Sequence, residues 1–168
     1  MNFPRRSRLI VLITLAAGVF SACRGGDSTG LASDFALTSP DGKTVTLSSK
    51  KGRVVLLNFW ATWCDSCKDE IPALQELSGS ALGSRFELLS VSVDDDPVKA
   101  VPPFAAKYGL KFPILYADRK TLDAYAVRML PTTFLIAPDG GIVRRYVGPL
   151  DLRAVENDIL SLLNRRPS

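Results

Sequence analysis

Apolar and polar positions fall into two rhythms along this chain. Residues 34–38 and 43–47 alternate between them around Ser39-Pro40-Asp41-Gly42. That is the pattern of a β-hairpin with its Asp-Gly step at the turn. Residues 54–59 form a nearly unbroken apolar run, Val-Val-Leu-Leu-Asn-Phe, which predicts a buried strand. The spacing over residues 68–77 predicts a helix directly after it. Residues 85–93 predict the next strand. In residues 98–108, Val101, Phe104, Ala105 and Tyr108 can share one helix face, with Pro102-Pro103 predicting a late or distorted start. Residues 112–116 read as a short strand, placed near a sheet edge because Pro113 cannot donate to a ladder. Residues 122–127 suggest a short helix. Residues 129–136 and 142–147 pair around the turn Pro138-Asp139-Gly140-Gly141. Gly148-Pro149 breaks the chain, and Asp151 opens a last helix with an apolar stripe of Leu152, Val155, Ile159, Leu162 and Leu163. Strand–helix–strand–helix followed by a hairpin and a helix predicts an α/β fold with a mixed central sheet flanked by helices.

The join between the first buried strand and its helix carries the chemistry. Cys64-Asp65-Ser66-Cys67 sits there. A helix N-terminus presents unpaired N–H groups and the positive end of a dipole, which favour a thiolate. Thiolate is the reactive form in disulfide exchange. Cys67, one turn on, is placed to resolve a mixed disulfide. The other meaning of this spacing is half a zinc site. The chain has no His and one further Cys, Cys23, so a redox dithiol is the better reading. Asp94-Asp95-Asp96-Pro97 reads as a helix start rather than a calcium site, since acids favour that end and no EF-hand spacing follows. No metal site is expected.

The first residues change the picture of where this chemistry takes place. Arg5, Arg6 and Arg8 precede a short apolar run ending at Phe20, then Ser21-Ala22-Cys23. A basic start, a short apolar stretch and small residues make a signal peptide over residues 1–22. The run is shorter than the roughly 20 apolar residues of a spanning helix. Phe20-Ser21-Ala22-Cys23 resembles a bacterial lipobox, whose Cys is lipidated. Cleavage to a soluble protein and retention as an uncleaved anchor are the competing readings. Three cysteines in an exported chain leave one odd thiol after Cys64 and Cys67 pair, and lipidation of Cys23 removes it. Residues 23–33 then read as a lipid-anchored flexible tether, and 34–168 as the folded domain. The formal charge is +4, but setting aside the three leader arginines leaves 18 basic against 17 acidic side chains. No basic face for nucleic acid is expected.

Asn58-Phe59-Trp60-Ala61-Thr62-Trp63-Cys64-Asp65-Ser66-Cys67, within residues 54–72, resembles the TlpA/ResA-like branch of the thioredoxin superfamily. Leu130-Pro131-Thr132-Thr133-Phe134 and Asp139-Gly140 with Gly148 fit the same branch, and coverage runs from about residue 34 to 163. The resemblance implies a thioredoxin-like fold with an extra N-terminal hairpin, a Cys64–Cys67 disulfide and no cofactor. It makes Pro131 the cis-proline beside the dithiol, where composition alone leaves an ordinary strand-entry proline. With Leu130 and Trp63, Pro131 would contact substrate. Trp60 could border that groove or, more simply, belong to the core. Glu70 matches an acid of this branch that could exchange protons with Cys67; it also reads as a first-turn acid stabilising the helix end. Asn58 occupies the place of thioredoxin's buried Asp, which favours the proton role for Glu70.

Implied partners are exported proteins carrying disulfides or thiols, among them apocytochrome c or oxidase assembly factors. The implied electron donor is a transmembrane thiol–disulfide transporter. Asp65 and Ser66 between the cysteines, and Asn58 beneath them, tune the redox poise. Asp65 opposes the thiolate by like charge while the helix dipole favours it, so the expected Cys64 pKa is nearer thioredoxin's ~7 than the ~3.5 of a strong oxidant. That makes disulfide reduction the leading activity and thiol oxidation its rival. A peroxidase would show Pro-x-x-x-Thr/Ser-x-x-Cys. Leu57 and Ala61 precede Cys64 at those positions, and Trp60 and Cys64 precede Cys67. A copper chaperone of this fold needs a His ligand, which the chain lacks.

Overall fold

The computed structural model describes residues 30–164. The expected signal peptide and Cys23 therefore lie outside the described residues. Seven strands form one sheet: β1 (Ala36–Thr38), β2 (Thr44–Thr46), β3 (Val54–Trp60), β4 (Phe86–Ser92), β5 (Ile114–Tyr116), β6 (Thr132–Ile136) and β7 (Ile142–Val147). Four helices accompany them: α1 (Asp65–Gly79), α2 (Pro97–Tyr108), α3 (Arg119–Ala124) and α4 (Leu152–Leu163). The strand order is β2-β1-β5-β4-β3-β6-β7. β5, β4 and β3 run parallel, and β6 and β7 run antiparallel to their neighbours. This is the thioredoxin-like α/β fold with a hairpin added at one side.

β3 lies inside the sheet between β4 and β6, and all seven of its residues are buried. Alternation splits them between two cores. Val54, Leu56 and Trp60 face Leu74 and Leu77 of α1, Val101 of α2 and Ile159 of α4. Val55, Leu57 and Phe59 face Phe35, Tyr125 and Phe134 on the other side. A strand buried on both faces must be apolar along its length, which is why residues 54–59 lack alternation. Asn58 is the exception, and it sits under α1.

Several expectations shift in register. Pro113 placed its strand near an edge, yet β5 is interior, because β1 pairs with it through Thr38 and Tyr116. Pro113 itself precedes the strand, so it breaks no ladder bond. α2 starts at once at Pro97, and Pro102 and Pro103 lie inside it. Both are exposed, so the carbonyls they leave unpaired face water. α3 begins three residues before the expected helix, because the Asp118 carboxylate accepts from the Thr121 N–H at 2.7 Å and caps it. Residues 30 and 32, expected to lie in the tether, are bonded to the turn that precedes β7 and to its first residue. Ile142 N–H donates to the Gly30 carbonyl at 2.8 Å, and Ala32 N–H to that of Gly140 at 2.9 Å. Asp151 caps α4 through the N–H groups of Arg153 and Ala154.

Candidate active site

β3 ends at Trp60 and the chain turns through Ala61-Thr62-Trp63 into α1. Cys64 is the N-cap residue of α1, with extended backbone, and its sulfur accepts from the Cys67 N–H at 3.2 Å. Cys67 lies in the first turn, and the two sulfurs are bonded across a Cα–Cα distance of 5.3 Å. Cys64 is 7% exposed and Cys67 2%, so the N-terminal sulfur is the one nearer solvent. An N-cap position offers a sulfur anion the free N–H groups of the first turn. The chemistry available is disulfide exchange with Cys64 as the outer sulfur.

The turn before Cys64 is held from below. Asp94, at the end of β4, is buried. Its carboxylate accepts the Thr62 N–H at 3.1 Å, the Thr62 hydroxyl at 2.6 Å and the Ser92 hydroxyl at 2.8 Å. The Asp run therefore divides its work. Asp94 clamps the active-site turn, while Asp96 takes the N-cap of α2 without a side-chain cap bond and pairs with Lys99. Sequence reasoning missed the clamp; an acid two residues past a central parallel strand, where such sheets place their sites, was the available signal.

Across from Cys64, the Leu130–Pro131 bond is cis. The Ser66 hydroxyl lies 3.5 Å from both the Cys64 sulfur and the Leu130 carbonyl, bridging the dithiol to the proline loop. Trp63 and Met129 stand exposed on either side, at 65% and 64%. Trp60 is core, packed on Phe104 with ring centroids 5.3 Å apart. Asp65 is exposed, and its carboxylate accepts from the Lys68 ammonium at 2.6 Å. That bond holds the Asp65 pKa below the usual carboxylate value. The acid stays ionised, but a cation one turn along offsets its charge. The sequence reading took Lys68 only as the start of the helix and missed its pairing with Asp65, although the i,i+3 spacing made the pair legible.

Beneath Cys67 the surroundings change. Glu70 is 2% exposed and shares the inner face of α1 with Cys67, three residues away. Asn58 donates through Nδ2 to Glu70 Oε1 at 2.7 Å and to the Thr133 hydroxyl at 3.0 Å. Burial pushes the Glu70 carboxyl up to about 7, with the Asn58 bond and the polar backbone at Leu150 pulling partly back. A carboxyl poised there changes protonation near neutral pH. Together α1, β3 and β6 bring Asn58, Cys64, Ser66, Cys67, Glu70, Leu130 and Pro131 into one site.

Comparison with known proteins places this site in a family. Residues 30–145 match the AhpC/TSA family. The thiol-disulfide oxidoreductase ResA of Bacillus subtilis is 36% identical over 167 residues, covering 96% of this chain and 92% of that protein. The chain belongs to the AhpC/TSA family, among its ResA-like thiol–disulfide oxidoreductases. ResA of Geobacillus kaustophilus is 39% identical over 133 residues, 78% of this chain and 75% of its own. Among solved structures, a chain assigned as thiol:disulfide interchange protein DsbE from Chlorobium tepidum superposes with a TM-score of 0.75 at 32% identity. It covers 82% of this chain and 99% of that one. The exposed lipoprotein thioredoxin of Streptococcus pneumoniae gives 0.65 at 31% identity, covering 77% and 100%. The AhpC/TSA match leaves the reaction open; the ResA-like relatives and the bonded Cys64–Cys67 pair make it thiol–disulfide exchange.

Proposed function

We propose that this protein is tethered to the outer face of a bacterial membrane through lipidated Cys23 and reduces disulfides in exported proteins. Reduced Cys64 attacks a substrate disulfide as the thiolate. One substrate sulfur leaves, and the other is bound to Cys64. Glu70 takes the Cys67 proton, and the Cys67 thiolate attacks Cys64, releasing the second substrate thiol and closing the Cys64–Cys67 disulfide. A transmembrane thiol–disulfide transporter returns two electrons. Trp63, Leu130 and Pro131 seat the substrate strand beside Cys64. Apocytochrome c and oxidase assembly factors are the substrate class this branch suggests.

The observation that carries the reading is the pairing of an N-cap sulfur with a buried carboxyl three residues behind its partner. The leader sequence, and a lipoprotein among the structural neighbours, support the location. One observation favours the opposite direction. Lys68 offsets Asp65, which weakens the charge expected to oppose the thiolate and moves the couple toward an oxidant.

Titration in glutathione buffers, run beside insulin reduction, tests the direction. A reductase should have a potential around or below about −220 mV, and a value near the ~−120 mV of a strong periplasmic oxidant would turn the reading to thiol oxidation. Fatty-acid labelling tests the anchor. Wild type should incorporate label and Cys23→Ser should not; an unlabelled wild type would remove the lipid anchor from the proposal.

A further inference from the structure

Five buried side-chain nitrogen or oxygen atoms find no hydrogen-bond partner among the described residues. One, Arg144 Nε, lies apart and faces the Asp158 carboxylate at 2.9 Å. The other four are Asn58 Oδ1, Trp60 Nε1, Glu70 Oε2 and Ser90 Oγ. None of these four residues is more than 4% exposed. All four line one small cavity, which Cys67 also lines, with an internal volume of about 10 Å³. Asn58 and Ser90 face each other across β3 and β4 in register, and Glu70 comes down from α1.

An orphaned buried polar atom costs roughly 1–3 kcal/mol, and most native groups of this kind are satisfied. Four around one cavity therefore point to a shared partner. A buried water needs about 10–15 Å³ and two to four polar contacts. The donor count fits one molecule. Trp60 Nε1 can only donate, Asn58 Oδ1 can only accept, and the Ser90 hydroxyl can do either. With Glu70 ionised, a water accepts from Trp60 and Ser90 and donates to Asn58 and Glu70. With Glu70 protonated, the carboxyl donates to the water, and the Ser90 hydroxyl turns to accept from it. Both states are then fully bonded, and only Ser90 has to rotate.

We propose that this cavity is a single-water site, and that Ser90 is a positioning residue whose hydroxyl holds the water in both protonation states while it carries the proton between Cys67 and Glu70. The inference rests on the proton role given to Glu70 above. In the resolving step the Cys67 S–H bond breaks. The Ser90 hydroxyl rotates off the water, the lone pair it frees takes the Cys67 proton, and the water gives one to Glu70 Oε2. The sulfur electron pair forms the bond to Cys64 as the bond from Cys64 to the substrate sulfur breaks. The substrate leaves as a thiolate, and no other redox partner is required.

Two measurements test this. NMR on the wild-type protein should show a cross-relaxation signal between a long-lived water and the Trp60 indole N–H, and Ser90→Ala should lose it. A wild-type cavity without such a water overturns the proposal and needs no variant to fold. Acid-quenched reaction of the reduced protein with glutathione disulfide separates Cys64 attack from Cys67 resolution. Ser90→Ala should slow resolution roughly tenfold, a part of what general acid–base catalysis supplies, with attack changed less than about twofold. Trp60→Phe should slow the same step. If Glu70→Gln slows resolution while Ser90→Ala and Trp60→Phe do not, the proton passes directly; the water inference fails and the Glu70 reading stands. If Glu70→Gln also leaves resolution unchanged, both fail.

Discussion

The two sulfurs of the dithiol face unlike surroundings. On the outer side, Cys64 meets Trp63, Ser66 and the Asp65–Lys68 pair, where solvent screens charge and opposite signs cancel. On the inner side, Cys67 meets Asn58, Trp60, Glu70 and Ser90, where solvent is excluded and polar groups lack partners. The same carboxylate chemistry behaves oppositely in the two places. Asp65, itself exposed, is held ionised by the half-buried Lys68 cation, while Glu70 is driven toward the neutral acid by burial. Charge on the wet side trims the poise of the couple. Charge on the dry side decides whether a proton can move.

The largest effect should separate the sulfurs themselves. Cys64→Ser should abolish exchange. Cys67→Ser should accumulate mixed disulfides through Cys64, visible on non-reducing gels and by mass spectrometry. Trapping by Cys64→Ser and not by Cys67→Ser would reverse the two roles and undo the contrast.

Next comes the stability of the oxidised protein against pH. Glu70 is raised from 4.5 to about 7 on folding. A raised acid favours the folded state while protonated, so its contribution is full below about 4.5 and is lost as pH rises through about 7. By linkage the loss is at most about 3 kcal/mol. Denaturant unfolding at pH 5 and pH 8 should show this fall in wild type and a flatter profile in Glu70→Gln. Equal slopes in the two proteins would mean that the carboxyl is better solvated than its burial implies.

Asp94 lies between the extremes, being buried yet attached to the outer turn. Asp94→Ala strips Thr62 and Ser92 of their shared acceptor and should destabilise the fold by roughly 1–3 kcal/mol. It should also slow Cys64 attack more than Cys67 resolution, since it loosens the outer turn. Unfolding curves and the two-step quench would read both effects.

The smallest effects belong to the wet pair. Asp65→Asn leaves Lys68 uncompensated and should make the couple more oxidising. Lys68→Gln leaves Asp65 uncompensated and should make it more reducing. The difference between the two should shrink as salt rises toward 1 M, where the Debye length is about 3 Å. Shifts of the same sign in both variants would show that the pair acts through shape rather than charge.

Local rules carry much of this molecule. An unbroken apolar run, a Cys-x-x-Cys at a strand–helix join, Asp-Gly turns and the Asp151 cap are all readable because each depends on neighbours a few residues away. So the order of elements, the dithiol and the identity of its two cysteines were legible in the sequence. Pro113 was misread as an edge signal because edges are defined by which strands dock, and β1 reaches β5 from some 75 residues upstream. Asp94 read as part of a helix start because its true partner, Thr62, is 32 residues back. Glu70 read as a first-turn acid, but α1 starts at Asp65 and so puts it in the second turn, and its burial appears only when α1 lies down on β3 and β4. Ser90 looked like any polar residue in a strand. Sequence by itself determined the sulfur chemistry, since reactive groups and helix starts are local. Only the tertiary structure decided the proton chemistry, because the shift of an acid depends on what excludes water from it, and those groups come from three separate elements.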